Sequence, residues 1–273
     1  ALNGATVSAK VTGGGKTINL TTPRTVKFSE LTAGTKYTVT LTATKAGYAT
    51  KTATADYTYS TKFEAYTVGT TDKKTAFWKA FSKPYQINDK KTRVVEMEVH
   101  GGAALYNNFV LAFANQENFD EATRGSAYTE YAAVRTDKWG WGGGDNKSLC
   151  GKDIQYVSHS LVSGGKTMKM GDTGFDAAFI AIMDSANATV EVARSGKMLE
   201  ITMKIASTKN AKNVITSVTR LELGTKDGKD NGTGKVFMRI VPDMSYFIVK
   251  NVTEKAAGEI KPPTDPKPPV VSA

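Results

Sequence analysis

The sequence predicts an all-β chain: a small sandwich followed by a larger, jelly-roll-like β-sandwich with one short helix. Three observations lead there. Threonine and valine are abundant and alternate with polar residues in short runs, the pattern of pleated, half-buried strands. Gly, Asn and Asp clusters break those runs at the intervals expected of sandwiches. A single segment, ending in Ala177-Ala-Phe-Ile-Ala-Ile-Met183, has the composition of a helix. With 273 residues and 40% hydrophobic residues, the chain can bury a core in one large or two smaller domains. Composition divides it into a small domain over residues 1–60, a larger one over 61–255 and a proline-rich connector over 256–273.

In the first domain, Ala5-Thr-Val7-Ser-Ala9-Lys-Val11 alternates and Gly13-Gly14-Gly15-Lys16 reads as the turn that follows. Tyr37-Thr-Val39-Thr-Leu41-Thr-Ala43-Thr is a second alternating strand. The run Phe28-Ser-Glu-Leu31-Thr-Ala-Gly34-Thr-Lys-Tyr37-Thr-Val39 resembles the E–F corner of fibronectin type III and related immunoglobulin-like domains. The resemblance implies that Tyr37 begins a strand and that its hydroxyl ties back to backbone just upstream. At about 60 residues against about 100 for an immunoglobulin domain, a reduced sandwich is expected.

The second domain reads as many short strands. Arg93–His100, Asn108–Ala114, Tyr131–Arg135, Thr189–Ala193 and Leu199–Ile205 are the clearest, and Lys235–Val241 with Ser245–Lys250 close the domain. Thr173-Gly-Phe-Asp176 has the form of a capping box, which predicts a helix entered from Thr173 that plugs one end of the sandwich. Glu259-Ile-Lys-Pro-Pro-Thr-Asp-Pro-Lys-Pro-Pro-Val270 holds five of the eight prolines, so an extended, polyproline-like connector to another domain is expected. Ala1-Leu2-Asn3-Gly4 reads as the start of a mature or excised fragment.

Several function classes recede on composition. The net charge of +10 raises nucleic acid as a partner, but the lysines are scattered singly along strands and loops. Solvated faces and protected sheet edges account for them better, with an anionic polysaccharide as a second candidate. No apolar run approaches the roughly 20 residues of a membrane helix. One cysteine, Cys150, and two histidines, His100 and His159, lack the paired spacing of a zinc site or of Cys/His catalysis. Gly142-Gly-Gly-Asp145-Asn146 and Asp227-Gly-Lys-Asp230-Asn231-Gly offer oxygen ligands that would suit a structural calcium, without EF-hand spacing. Turn chemistry explains both loops better, and no cofactor is expected.

The most informative segment runs from Tyr128 to Gly142. It places Trp139 and Trp141 one glycine apart, directly after the strand Tyr131-Ala-Ala-Val-Arg135. An indole on a glycine loop beside Arg135 and Asp137 combines a flat apolar face with directional hydrogen bonds, which is what holds a sugar ring. Each indole is either such a platform or a lid over the core. Arg135 and Asp137 lie on one nominal strand face, as hydroxyl-recognising groups held by each other or as a strand-end ion pair. Tyr106, Asn107 and Asn108 stand at the mouth of the apolar run Phe109-Val-Leu111. The Asn108 amide is expected to cap the strand, whereas Asn107 is as well placed for a ligand. Trp78, between Phe77 and Phe81, is expected in the core.

Tyr106-Asn107-Asn108-Phe109-Val110 and Tyr131-Ala-Ala-Val-Arg135-Thr-Asp137-Lys-Trp139-Gly140-Trp141-Gly142 together resemble a β-sandwich domain of secreted bacterial polysaccharide-degrading enzymes. Phe77-Trp78-Lys-Ala-Phe81-Ser82-Lys-Pro-Tyr85 and Ala186-Asn-Ala-Thr-Val190 fit the same pattern. The resemblance implies a noncatalytic carbohydrate-binding module, with Trp139, Trp141, Arg135, Asp137, Tyr106, Asn107 and Tyr131 as ligand-binding residues. Tyr106 departs from the pattern, which has tryptophan there.

The carboxylates raise an enzyme reading. Glu96 and Glu98 alternate on one strand face, and a glycosidase needs two carboxylates about 5–9.5 Å apart. Their strand, however, is an ordinary half-solvated one, and catalysis is not expected. The expected function is therefore binding of a polysaccharide, with plant cell-wall β-glycans first by resemblance, on behalf of an attached catalytic domain. An extracellular or cell-surface location follows from the spacer and tail. The rival readings are a stalk or adhesion module and a β-sandwich glycoside hydrolase.

Overall fold

A computed structural model describes residues 4–20, 31–32, 34–58, 63–102, 104–105, 108–119, 128–137, 147–148, 154–225 and 228–260. The described residues are all-β apart from one short helix, and the chain divides into two compact units, Ala1–Phe63 and Glu64–Ala273.

The described residues of the first unit form one antiparallel sheet of β1 (Thr6–Gly13), β2 (Lys16–Leu20), β3 (Lys36–Thr44) and β4 (Lys51–Thr58), in the order β2-β1-β3-β4. Period-two alternation sorts its faces. Ala9 and Val11 pair with Leu41 and Val39 across β1 and β3 on the apolar face, while Thr38, Thr40 and Thr42 crowd the other. Tyr37 is 1% exposed, and its hydroxyl accepts a hydrogen bond from the Thr32 backbone N–H at 2.7 Å. The upstream tie expected of this tyrosine is therefore present.

The described residues of the second unit form two antiparallel sheets. Eight strands run in the order β12 (Lys166–Met168), β11 (Ile154–Ser163), β15 (Val214–Glu222), β14 (Met198–Ser207), β13 (Ala186–Ser195), β7 (Lys91–His100), β17 (Tyr246–Ala256) and β5 (Tyr66–Val68). Five run in the order β10 (Lys147–Ser148), β9 (Glu130–Arg135), β8 (Asn108–Ala114), β16 (Phe237–Asp243) and β6 (Tyr85–Gln86). On β7, Val95, Met97 and Val99 are buried, and Glu96 and Glu98 project outward. Phe109 on β8 meets Phe247 on β17 edge to face at 6.4 Å, one of the contacts that join the sheets.

Strand β8 is buried at every position. Its second face, Val110, Ala112 and Ala114, lies under a cluster that includes Trp78, Phe119, Tyr128 and Phe237. Trp78 is 3% exposed and packs on Phe77 and Phe81 at 5.2 and 5.3 Å, so the tryptophan expected in the core is there. Arg239 roofs Phe81 at 4.7 Å and donates to the carbonyls of Ser82 and Phe119, which locks this layer onto the sheet. Asn108 is fully buried, and its side-chain oxygen accepts from the Thr136 N–H, the strand-capping role expected of it.

The helix α1 spans Phe175–Met183 and buries Phe175, Phe179, Ile182 and Met183. The capping box expected at Thr173 does not form. The N-cap is Gly174 in a left-handed conformation (φ 85°) with no side-chain cap, so the chain turns into the helix one residue later. The turn before it closes through the Phe175 N–H to the Asp172 carbonyl at 3.0 Å.

Tyr37→Phe should lower the stability of the first unit by about 0.5–1.5 kcal/mol, the net worth of one such hydrogen bond. Hydrogen exchange of the β3 amides in the full chain is the measurement. Unchanged protection there contradicts the tie.

Candidate functional site

Two sites lie at opposite ends of β9. Tyr131 and Arg135 are four positions apart, a rise of roughly 13 Å along a strand.

At the C-terminal end, Arg135 projects on the same face as Asp243 of the neighbouring region of the five-stranded sheet. Its Nη2 lies 2.8 Å from Asp137 Oδ2 and 3.4 Å from Asp243 Oδ2. The Asp137 side chain is 1% exposed and that of Arg135 31%. The two carboxylates thus pin the guanidinium of a side chain that is only partly open to solvent, a fixed arrangement rather than a loose surface pair. Burial raises the pKa of Asp243; the Arg135 charge opposes that rise, Asp137 adds to it, and a Phe77 backbone hydrogen bond opposes it too.

Of the residues expected here, the structure brings Arg135 and Asp137 together. Asp137 enters as the group that positions Arg135, because its buried carboxylate does not face solvent. Tyr106, Asn107, Trp139 and Trp141 lie outside the described residues. Tyr131 is 1% exposed and belongs to the other end of the strand.

There the Tyr131 hydroxyl donates to Asp230 Oδ2 at 2.7 Å. Asn115 Nδ2 reaches the same oxygen at 3.3 Å, and the Gly232 N–H donates to Asp230 Oδ1 at 2.8 Å. Asn115 and Thr129 close the end of the β8–β9 ladder, with the Thr129 N–H on Asn115 Oδ1 at 2.8 Å. An open polar depression of about 640 Å³ lies against Asn115, Thr129 and Thr225 and, in the segment from Gly228 to Gly234, against Lys229, Asp230, Asn231 and Thr233.

Arg194 holds that segment from behind. It is 3% exposed, and its guanidinium donates to four carbonyls: Gly196 at 2.8 Å, Ile87 at 3.0 Å, Gly232 at 3.1 Å and Gly234 at 2.7 Å. Desolvation depresses its pKa, with Asp89 and then Tyr131 opposing. Gly232 sits at φ 72°, where a Cβ would come within 2.5 Å of Leu223, so a side chain is excluded on both counts. Asp230 is thus held in a fixed orientation by turn and tertiary hydrogen bonds, and among the described residues no group of three His, Cys, Asp or Glu side chains is placed to hold a metal.

Sequence reading missed Asn115 and Arg194 altogether. Arg194 did carry a signal: it continues the inward parity of Ala186, Ala188, Val190 and Val192.

Glu96 and Glu98 on β7 are engaged across strands. Asn251 Nδ2 donates to Glu96 at 3.0 Å, and Glu98 takes Lys250 at 2.9 Å and His100 at 2.9 Å. The Lys250 hydrogen bond holds the Glu98 carboxyl below the ordinary range, which suits an ion pair better than a proton donor.

No family model matches the chain, and no curated protein matches it. Among solved structures it is similar to the basic winged bean lectin, in a crystal structure with Tn-antigen, at 10% identity over 94% of each chain and a TM-score of 0.22. Among the described residues, no helix is long and apolar enough to cross a membrane.

The Asp243 titration tests the Arg135 cluster. Arg135→Ala should raise the Asp243 pKa further, because the opposing positive charge is lost, and Asp137→Asn should lower it. Since its folded pKa is already raised, Asp243 contributes stability that is fully present below its unfolded pKa and lost as pH rises through the folded pKa. Carboxyl ¹³C chemical shifts read both variants; an Asp243 pKa indifferent to Arg135 contradicts the cluster.

Proposed function

We propose that the second unit is a noncatalytic polysaccharide-binding module that holds an attached glycan-degrading enzyme on its substrate. A plant cell-wall β-glycan such as xylan, mannan or glucan is the ligand, and the protein acts outside the cell or at its surface. One arrangement carries the reading. Arg135 is pinned by Asp137 and Asp243 at a strand end, partly open to solvent, four residues before Trp139 and six before Trp141. A pre-oriented guanidinium recognises hydroxyls without first losing side-chain freedom. A neighbouring indole supplies the apolar face against which a pyranose lies.

The likeness of residues 63–253 to sandwich modules of polysaccharide-degrading enzymes supports the same reading, as does the proline-rich tail for a multimodular secreted protein. The engagement of Glu98 by Lys250 favours binding over glycosidic catalysis.

Electrophoresis of the full chain through gels containing xylan, glucomannan or β-glucan is the test. Retardation by at least one polysaccharide is expected. Arg135→Ala and Trp139→Ala should each weaken it about 10–100-fold, the loss of one charged hydrogen bond or one aromatic contact of roughly 1.5–3 kcal/mol. Mobility that no polysaccharide changes excludes the module and favours a stalk. Reducing ends released from the bound polysaccharide, and abolished by Glu96→Gln or Glu98→Gln, indicate a hydrolase instead.

A further inference from the structure

The geometry points to a second glycan-binding site, which we propose lies in the polar depression at the N-terminal end of β9, remote from Arg135. The inference rests on the reading of this chain as a glycan binder and adds a separate place on it.

Among the described residues the depression is lined by hydrogen-bonding groups with no aromatic among them, and its volume of about 640 Å³ falls in the range of small-molecule sites. Its floor is preorganised. Among the described residues, three donors hold the Asp230 carboxylate: the Tyr131 hydroxyl, the Asn115 amide and the Gly232 N–H. A carboxylate offers about four lone-pair positions, so this one keeps room for a ligand hydroxyl in a fixed direction.

The next residue supplies the complement. Asn231 is exposed, and its Oδ1 is taken by the Thr233 N–H at 3.1 Å and the Thr233 hydroxyl at 2.6 Å. That fixes the amide orientation and turns its Nδ2 donors outward. An ionised acceptor beside an amide donor matches a vicinal diol, in which one hydroxyl donates to Asp230 and its neighbour accepts from Asn231.

The surrounding backbone does not need to reorganise, because the buried Arg194 clamps the Gly232 and Gly234 carbonyls. A hollow lined by polar groups held in place suits the equatorial hydroxyls of a sugar.

The test is a ¹⁵N–¹H NMR titration of the full chain with xylohexaose, mannohexaose and cellohexaose. The proposal predicts saturable shifts of the Asn115, Asn231 and Gly232 amides with at least one of them. Those shifts persist in Trp139→Ala, and Asn231→Ala weakens them about tenfold while leaving the fold's other resonances in place; Asp230→Asn is the second variant and acts in the same direction. Shifts confined to the Arg135 end overturn the second site and leave the module intact. Loop shifts that neither Asn231→Ala nor Asp230→Asn weakens also overturn it. A chain that responds to none of the oligosaccharides overturns both readings.

Discussion

The burial of β8 on both faces governs the second unit. One face carries Phe109, Leu111 and Phe113 toward the eight-stranded sheet, and the other carries Val110, Ala112 and Ala114 under an aromatic layer built on Trp78 and Phe119. A strand enclosed this way cannot slip register by one residue without exchanging the two sets. Phenylalanines would then meet a layer shaped for alanines. The register fixed on β8 passes to β9 through Val110–Arg135 and to β16 through Val110–Val241, which brings Arg135 and Asp243 to one edge.

From that frame the two ends of β9 take different characters. At one end, charge is balanced by charge: a guanidinium sits between two carboxylates, and burial of Asp243 resists ionisation until Arg135 compensates. At the other, Arg194 is balanced by four carbonyl dipoles, and Asp230 by three neutral donors. Both arrangements hold polar groups at set orientations near solvent. Ordered donors and acceptors of this kind suit a flexible, heavily hydroxylated ligand, because the protein loses little freedom on binding.

Much of the sandwich was legible because alternation reports burial directly. Strands β7, β13 and β14 and the continuous apolar run of β8 announced themselves, and the Tyr37 hydrogen bond was implied by the resemblance of its segment to an E–F corner. Strand β11 did not, since the bulge between Tyr156 and Ser158 shifts its alternation midway. The helix entrance misled because a left-handed Gly174 took the cap position from Thr173. The second site was the least legible part. Asp230 looked like a turn residue, which it is, but its partners Tyr131 and Asn115 lie 99 and 115 positions earlier in the chain. No local pattern encodes such a meeting. Arg194 went unread, because its inward parity gains meaning only beside carbonyls from two distant loops.

The central proposal is that a sugar ring lies against the tryptophan segment that follows Arg135 in the sequence. Saturation-transfer difference NMR tests it most directly, with selective irradiation of the protein's aromatic protons in the presence of a β-linked hexasaccharide. The account predicts strong transfer to the axial C–H protons of one or two sugar rings and its disappearance in Trp139→Ala. Absence of transfer to every β-glycan offered, or transfer that survives the loss of both Trp139 and Trp141, contradicts it.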